Sequence, residues 1–171
     1  MLIAIDELPV KPFDLWHRIQ GIAFVDHNVP RIIWQRASVL SIIDHHEDRR
    51  FALDASPRLI APSASCASLV AKIILDEQEK GKLGTAHDEL PKELADLLLR
   101  TIALDSRGLR KRKRQPIDVE SSARVLPMRS WYGNELGTVM QGFARELKAT
   151  KKALGELDVR DLLRRDGKSD S

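Results

Sequence analysis

Two short segments, Val25-Asp26-His27-Asn28 and Ile43-Asp44-His45-His46, set carboxylate and imidazole groups side by side, with their aspartates 18 residues apart. Carboxylate plus imidazole without thiolate suits manganese, cobalt or magnesium better than a structural zinc. Two such ions about 3.5–4 Å apart activate a water and neutralise a phosphate transition state. Hydrolysis of phosphoanhydride bonds at a divalent-metal site is therefore the chemistry these residue types point to. Taken singly, an Asp-His step is most simply a turn or a surface pair. The recurrence of the step, with a further acid at Asp48, makes the combination more specific.

Elements must exist to bring these groups together. Three short apolar runs, Leu2 to Ile5, Ile22 to Val25 and Val39 to Ile43, each end at an aspartate: Asp6, Asp26 and Asp44. Continuous runs of this kind predict strands buried on both faces of a parallel sheet covered by helices. Neighbouring strands lie about 5 Å apart, and open α/β sheets bind ligands beyond the carboxyl ends of their strands. Apolar residues at 3-4 spacing predict a helix from about 63 to 80, stopped by Gly81 and Gly84. Pro91 opens a second helix with Leu94, Leu97, Leu98, Thr101 and Ile102 on one face, ending near Asp105. A third runs from about Asn134 to Leu154, and a short one from Asp158 to Arg165. The stretch from Arg110 to Pro116 reads as an exposed loop, and Gly167 to Ser171 as a frayed end. The expected class is α/β, a parallel sheet flanked by helices.

Composition narrows the function classes. With 43% hydrophobic and 31% charged residues the chain is in the globular range. Its net charge of +3 is close to balanced, and the excess is local, in Arg107 and Arg110 to Arg114. A dedicated nucleic-acid binder would carry basic charge more widely. One cysteine, Cys66, excludes an internal disulfide and a thiolate zinc cage. No apolar run reaches the roughly 18 residues of a membrane span, and the N-terminus lacks the pattern of a secretory leader. A cytoplasmic protein is expected.

The strings VDHN, IIDHHED, SASCASLV and LLLRTIALDS, in that order, resemble the motifs of the DHH phosphoesterase superfamily, exopolyphosphatase and prune-like branch. The opening LIAIDEL resembles the strand before the second motif of that branch. KATKKALGELDVRDLLRRDGK resembles the start of its second, DHH-associated domain. The resemblance implies a partial DHH domain over 1–133, then a connecting helix and an incomplete second domain over 134–171. It implies that Asp26 bridges two metal ions, that His45 and Asp105 ligate one of them, and that His46 contacts substrate phosphate. Asp44 is expected to orient a histidine, with His27 and Asn28 in support, and Lys168 to bind phosphate at the domain cleft. Manganese, or else magnesium or cobalt, is the implied cofactor, and inorganic polyphosphate or pyrophosphate the implied substrate. The family's first motif, Asp-x-Asp, has no counterpart upstream of Asp26. The chain is thus expected to start after it, with weak or absent turnover on its own.

A second expectation is non-catalytic: a truncated or degenerate member that binds metal or a protein partner. Arg110 to Arg114 are most simply a solvated loop, and in a functional role would steer polyphosphate. Ser65-Cys66 begins a helix whose N-terminus would attract phosphate, or is simply capped by Ser63 or Ser65 with Cys66 buried; in either case Cys66 is not expected to be nucleophilic. Gly108, where relatives favour asparagine, is expected to loosen a loop near the site. Trp16, Trp34, Trp131 and Tyr132 read as packing residues, His17 and His87 as surface or turn residues.

Overall fold

The computed structural model describes residues 20–30, 37–81, 90–129 and 135–155. Leu2 to Ile5, His17, His87, Asp158 to Arg165, Lys168, the three tryptophans and Tyr132 lie outside these residues.

The protein has an α/β fold, in which three parallel strands, β1 (Ile22–Val25), β2 (Val39–Asp44) and β3 (Arg58–Ile60), are ordered β1-β2-β3. Four helices follow: α1 (Cys66–Glu79), α2 (Lys92–Asp105), α3 (Pro116–Val125) and α4 (Leu136–Gly155). β1 and β2 coincide with two of the apolar runs. The register sets Val25 beside Ile43 and Asp44 beside Ile60. The carboxyl ends of all three strands therefore finish at one level, and Asp26 leaves the sheet next to Asp44.

The strands are not buried on both faces as the apolar runs predict. Val25 is 48% and Leu40 51% exposed, whereas Phe24 and Ile42 are buried. In β1 exposed Ala23 and Val25 alternate with buried Phe24 because successive residues point to opposite faces. In β2 Leu40 shares a face with buried Ile42 and is exposed at the start of the strand, short of the cluster of Phe24, Ile42 and Ala55. A larger core lies among the helices. Ala71 and Leu75 of α1, Leu98, Leu99 and Ile102 of α2, Val125 of α3 and Met140 of α4 belong to one cluster. α4 is fixed on α2 by the Arg100–Glu146 ion pair at 2.9 Å and by Arg100 stacked 4.4 Å from the Phe143 ring centre.

Two elements differ from the expected ones. β3 is only three residues long, too short to show a period. α3 begins where an exposed loop is expected to end, at Pro116, a residue suited to a first helical position. Asp118 accepts from the Gln115 backbone N–H at 2.6 Å, the reciprocal half of a capping box. The same fully buried carboxylate accepts from the Ala64 N–H at 2.9 and 3.1 Å and from Ser68 Oγ at 2.6 Å. Asp118 thus joins α3 to the entry of α1 across more than fifty residues of chain.

Gly108 tightens its loop instead of loosening it. Arg107, Gly108 and Leu109 all have left-handed φ, at 54°, 72° and 59°, a conformation that favours glycine. A Cβ on Gly108 would stand 3.0 Å from Gln141 Cα and 3.2 Å from the Met140 carbonyl oxygen. The missing side chain lets the loop lie directly against α4.

Asp118→Ala leaves three donors without their acceptor, among them the buried Ser68 hydroxyl and the half-buried Ala64 N–H. It is expected to cost about 2–4 kcal/mol, read as a lower denaturant midpoint at unchanged slope. A midpoint equal to that of the wild type would remove Asp118 from its structural role.

Candidate metal centre

At the end of β2 the chain buries a carboxylate completely. Asp44 is 0% exposed, and burial alone would favour its neutral form. It is answered by four donors. Its Oδ1 accepts from His46 Nδ1 at 2.7 Å, from the His45 N–H at 2.7 Å and from the His46 N–H at 3.2 Å. Its Oδ2 accepts a short hydrogen bond from Asn28 Nδ2. Burial raises the pKa most strongly as a single effect, but the hydrogen bonds together outweigh it and hold the group below the ordinary carboxylate value.

The same contacts fix the surrounding residues. Asn28 also donates to the Glu47 carbonyl at 3.0 Å and accepts from the Arg49 N–H at 2.9 Å, so it ties the end of β1 to the turn after β2. The hydrogen bond to Asp44 also raises the His46 pKa, reinforced by the charges of Asp44 and Asp26 against a smaller desolvation effect. With Nδ1 engaged, Nε2 is the nitrogen His46 has left for a ligand. His27 donates from Nδ1 to the Val25 carbonyl at 3.0 Å and packs its ring on Phe24. It lies beside the cluster without joining it.

His45 and Asp26 meet in front of this frame. His45 Nδ1 lies 3.0 Å from the Ser63 carbonyl. A carbonyl only accepts, so Nδ1 carries the proton and Nε2 of the neutral ring bears a lone pair. That Nε2 lies 3.1 Å from Asp26 Oδ1. Two lone pairs at this separation repel unless a proton or a cation lies between them. Two ligand atoms about 2.1 Å from one ion, in neighbouring octahedral positions, stand about 3.0 Å apart. The spacing therefore fits an ion. Asp26 itself has φ of 67°, a left-handed conformation that Asp adopts more readily than most residues. It turns the backbone out of β1 just after the Asp26 N–H bonds to the Ile43 carbonyl at 2.9 Å.

Asp26, His45 and His46 bring one ligand atom each within 4.8 Å of one another, a group able to hold a metal ion. Asp105 stands outside it. This last residue of α2 accepts from Ser65 Oγ at 2.6 Å, and Ser65 is the residue before α1. Asp48 also lies apart, paired with Arg58 at 2.5 and 3.0 Å, where the Arg58 guanidinium keeps its carboxyl below the ordinary range. Lys168 is outside the described residues.

The residues between β3 and α1 link these parts. Ser63 offers its carbonyl to His45, Ala64 gives its N–H to Asp118, and Ser65 gives its hydroxyl to Asp105. Residue types alone did not single out Asp118 or Ser65 as supports. The Gln115-Pro116-x-Asp118 spacing signals a helix start at Asp118, but its long-range partners have no local signature. Cys66, just beyond, is buried and donates from Sγ to the Ile43 carbonyl at 3.4 Å. Burial pushes its pKa up to about 11.

Among known proteins, no family model matches the chain. It is 31% identical over 135 residues, 75% of its length, to a Schizosaccharomyces pombe protein named "Putative exopolyphosphatase". The chain spans about a third (33%) of the length of that curated relative. No helix among the described residues is long and apolar enough to cross a membrane.

Two outcomes follow for the metal-free protein. A depressed Asp44 pKa adds stability above about pH 3.9, the unfolded value, that is lost as pH falls through the lower folded value. A raised His46 pKa adds stability below about pH 6.5 that is lost as pH rises through the higher folded value. Melting curves in EDTA from pH 2 to 9 should show both limbs in the wild type. His46→Gln should lack the alkaline limb and keep a weakened acid limb, since it also removes a hydrogen bond that depresses Asp44, and Asp44→Asn should lack both; profiles parallel to the wild type would refute the pairing. Separately, folded Cys66 should react with iodoacetamide at pH 8 roughly 100-fold more slowly than a free thiol, read by mass spectrometry. Labelling at the free-thiol rate would show the thiol accessible and ionised.

Proposed function

We propose that Asp26, His45 and His46 hold a divalent ion, manganese or else magnesium or cobalt, in a DHH-type centre that hydrolyses phosphoanhydride bonds. Inorganic polyphosphate is the preferred substrate, with pyrophosphate as the smaller relative. The observation that carries this reading is the approach of His45 Nε2 to Asp26 Oδ1 at 3.1 Å, with His45 Nδ1 already committed to Ser63. The name of the fission-yeast relative supports the substrate class.

The donor set of one carboxylate and two imidazoles suits these ions, and the Cys66 thiol is turned away onto a backbone carbonyl. A bound ion of this kind lowers the pKa of a coordinated water and offsets phosphate charge. The chain's own residues do the rest. The Ser63 carbonyl fixes the His45 tautomer, and Asp44 fixes His46, the arrangement by which outer carboxylates and carbonyls orient metal-binding histidines. His46 is exposed and its proton is favoured by Asp44. When it is not a ligand, it can donate a hydrogen bond to a phosphate oxygen. Asp105, anchored through Ser65, is the further carboxylate that the family resemblance adds to the ion's surroundings.

A second reading is metal binding without turnover. It is favoured by the size of the cluster, since three ligand atoms suffice for one ion while a two-metal hydrolase fills both positions.

Calorimetric titration with Mn2+ and phosphate release from polyphosphate and pyrophosphate separate the two. Asp26→Ala and His45→Ala should each weaken Mn2+ binding at least about 10-fold and abolish metal-dependent release. Binding without release in the wild type would support the second reading. Absence of both would refute the metal centre.

A further inference from the structure

Away from the Asp26–His45–His46 cluster, the loop after α2 and one face of α4 enclose a groove of about 1080 Å³. One wall carries Arg107, Arg110, Lys111 and Arg114. The other carries Arg145, Lys148 and Lys151, whose i, i+3, i+6 spacing keeps them on one side of the helix. The single acid on its lining is Asp105, whose carboxylate is already engaged by Ser65 Oγ at 2.6 Å. None of the seven cations forms an ion pair with a carboxylate among the described residues; Arg114 and Arg145 reach only backbone carbonyls, of Leu109 and Gln141.

Like charges facing one another across a groove repel, and a structure that keeps them there gains when an anion enters. Here the walls are firmly built. Leu109 is buried, and Gly108 lies in contact with the α4 backbone, so the loop cannot move away from α4 without breaking core packing. The lining contains no Phe, Tyr or Trp. Single-stranded nucleic acids are bound by a basic groove together with aromatic platforms for the bases, so this groove offers the backbone half of such a site alone. Its volume exceeds what one or two phosphates need, and its cations are spread along the helix, not gathered at one point.

We infer that this groove binds the unreacted length of an inorganic polyphosphate chain, as a phosphate polyanion without bases. The inference takes the identity of its polyanion from the proposed hydrolase reading. It assigns a subsite of its own: the chain is held by Arg145, Lys148 and Lys151 on one side and by the Arg107–Arg114 loop on the other. Asp105, which lines the groove and accepts from Ser65 in the segment whose Ser63 carbonyl meets His45, marks the end nearer the metal centre. Long chains would gain affinity over pyrophosphate through counterion release at each neutralised phosphate.

The test is fluorescence anisotropy of end-labelled polyphosphate with the full chain in EDTA, which removes the metal from the measurement. The wild type should bind a chain of about fifty phosphates at least tenfold more tightly than pyrophosphate, and more tightly than single-stranded DNA of equal phosphate number. Arg145→Gln/Lys148→Gln/Lys151→Gln should lose at least tenfold and lower the slope of log affinity against log salt by about 2. Arg110→Gln/Lys111→Gln, on the opposite wall, gives an independent reading should the helix variant fold poorly. Lys92→Gln, exposed at the start of α2 and outside the groove, should bind as the wild type does. Unchanged affinity in both groove variants would overturn the inference, and so would tighter binding of the DNA. Asp26→Ala should still bind polyphosphate, so failure of the hydrolase reading and failure of the groove are seen separately.

Discussion

The geometry of the site depends on a buried anion. Asp44 sits at the end of the central strand, where desolvation penalises its charge, and it stays ionised because four N–H groups point at it. Each donor is also a positioning device. Asn28 carries the end of β1, the His45 and His46 amides shape the turn after β2, and the His46 ring is oriented directly. Such networks are most effective when fully satisfied, and no atom of Asp44 or Asn28 is left without a partner. Asp26 and His45 can therefore face one another in front of it without holding the backbone in place themselves.

Asp118 plays the corresponding part among the helices. It is equally buried, and its donors come from its own helix start, from Ala64 and from Ser68 of α1. The strip from Ser63 to Ser65 is bonded to Asp118 directly and reaches the Asp44 network through His45. One residue orients His45, the next is clamped by Asp118, and the third holds Asp105. A shift of α3 against α1 would be transmitted through Ala64 to the His45 ring one residue away. Helix packing and ligand placement are coupled through this short stretch.

The carboxyl ends of β1 and β2 were legible because apolar runs stop abruptly at acids, and a parallel register brings such ends together. The helices at 66–79, 92–105 and 136–155 were legible from their 3-4 spacing. Burial of the strands was misjudged. An apolar run does not say how many faces are covered or how far along the strand the cover reaches: Val25 is half exposed on the face opposite Phe24, and Leu40 at the start of the face that buries Ile42. β3 was missed because Arg58-Leu59-Ile60 is too short to show a period. α3 was missed because its Pro116 follows a basic run and so reads as loop, although Gln115 and Asp118 carry a capping signature. The Ser63 to Ser65 contacts join residues 18 to 54 positions apart. No local pattern encodes such distances. Gly108 shows the same limit, since a glycine that reads as loose in sequence is the point where a loop touches α4.

The centre itself concentrates unfavourable terms. Asp26 is held at φ 67°, with its Oδ1 3.1 Å from His45 Nε2. Strain of this kind persists only where the surroundings over-determine it. Here they do so from a distance. The sheet contributes a small cluster around Phe24, Ile42 and Ala55, while most of the buried apolar residues lie among the four helices. Stability comes mainly from the helical core and reaches the sheet end through Asp118, Ala64 and Ser63. The electrostatics divide in the same way. Asp26 and His45 set ligand atoms together at the sheet end, and the cations between the 107–114 loop and α4 line a groove. Asp105 belongs to the boundary, one oxygen on Ser65 and its helix end on the groove. Neither charge field has its counterpart among the described residues, and on the proposed reading a metal–phosphate complex would complement both.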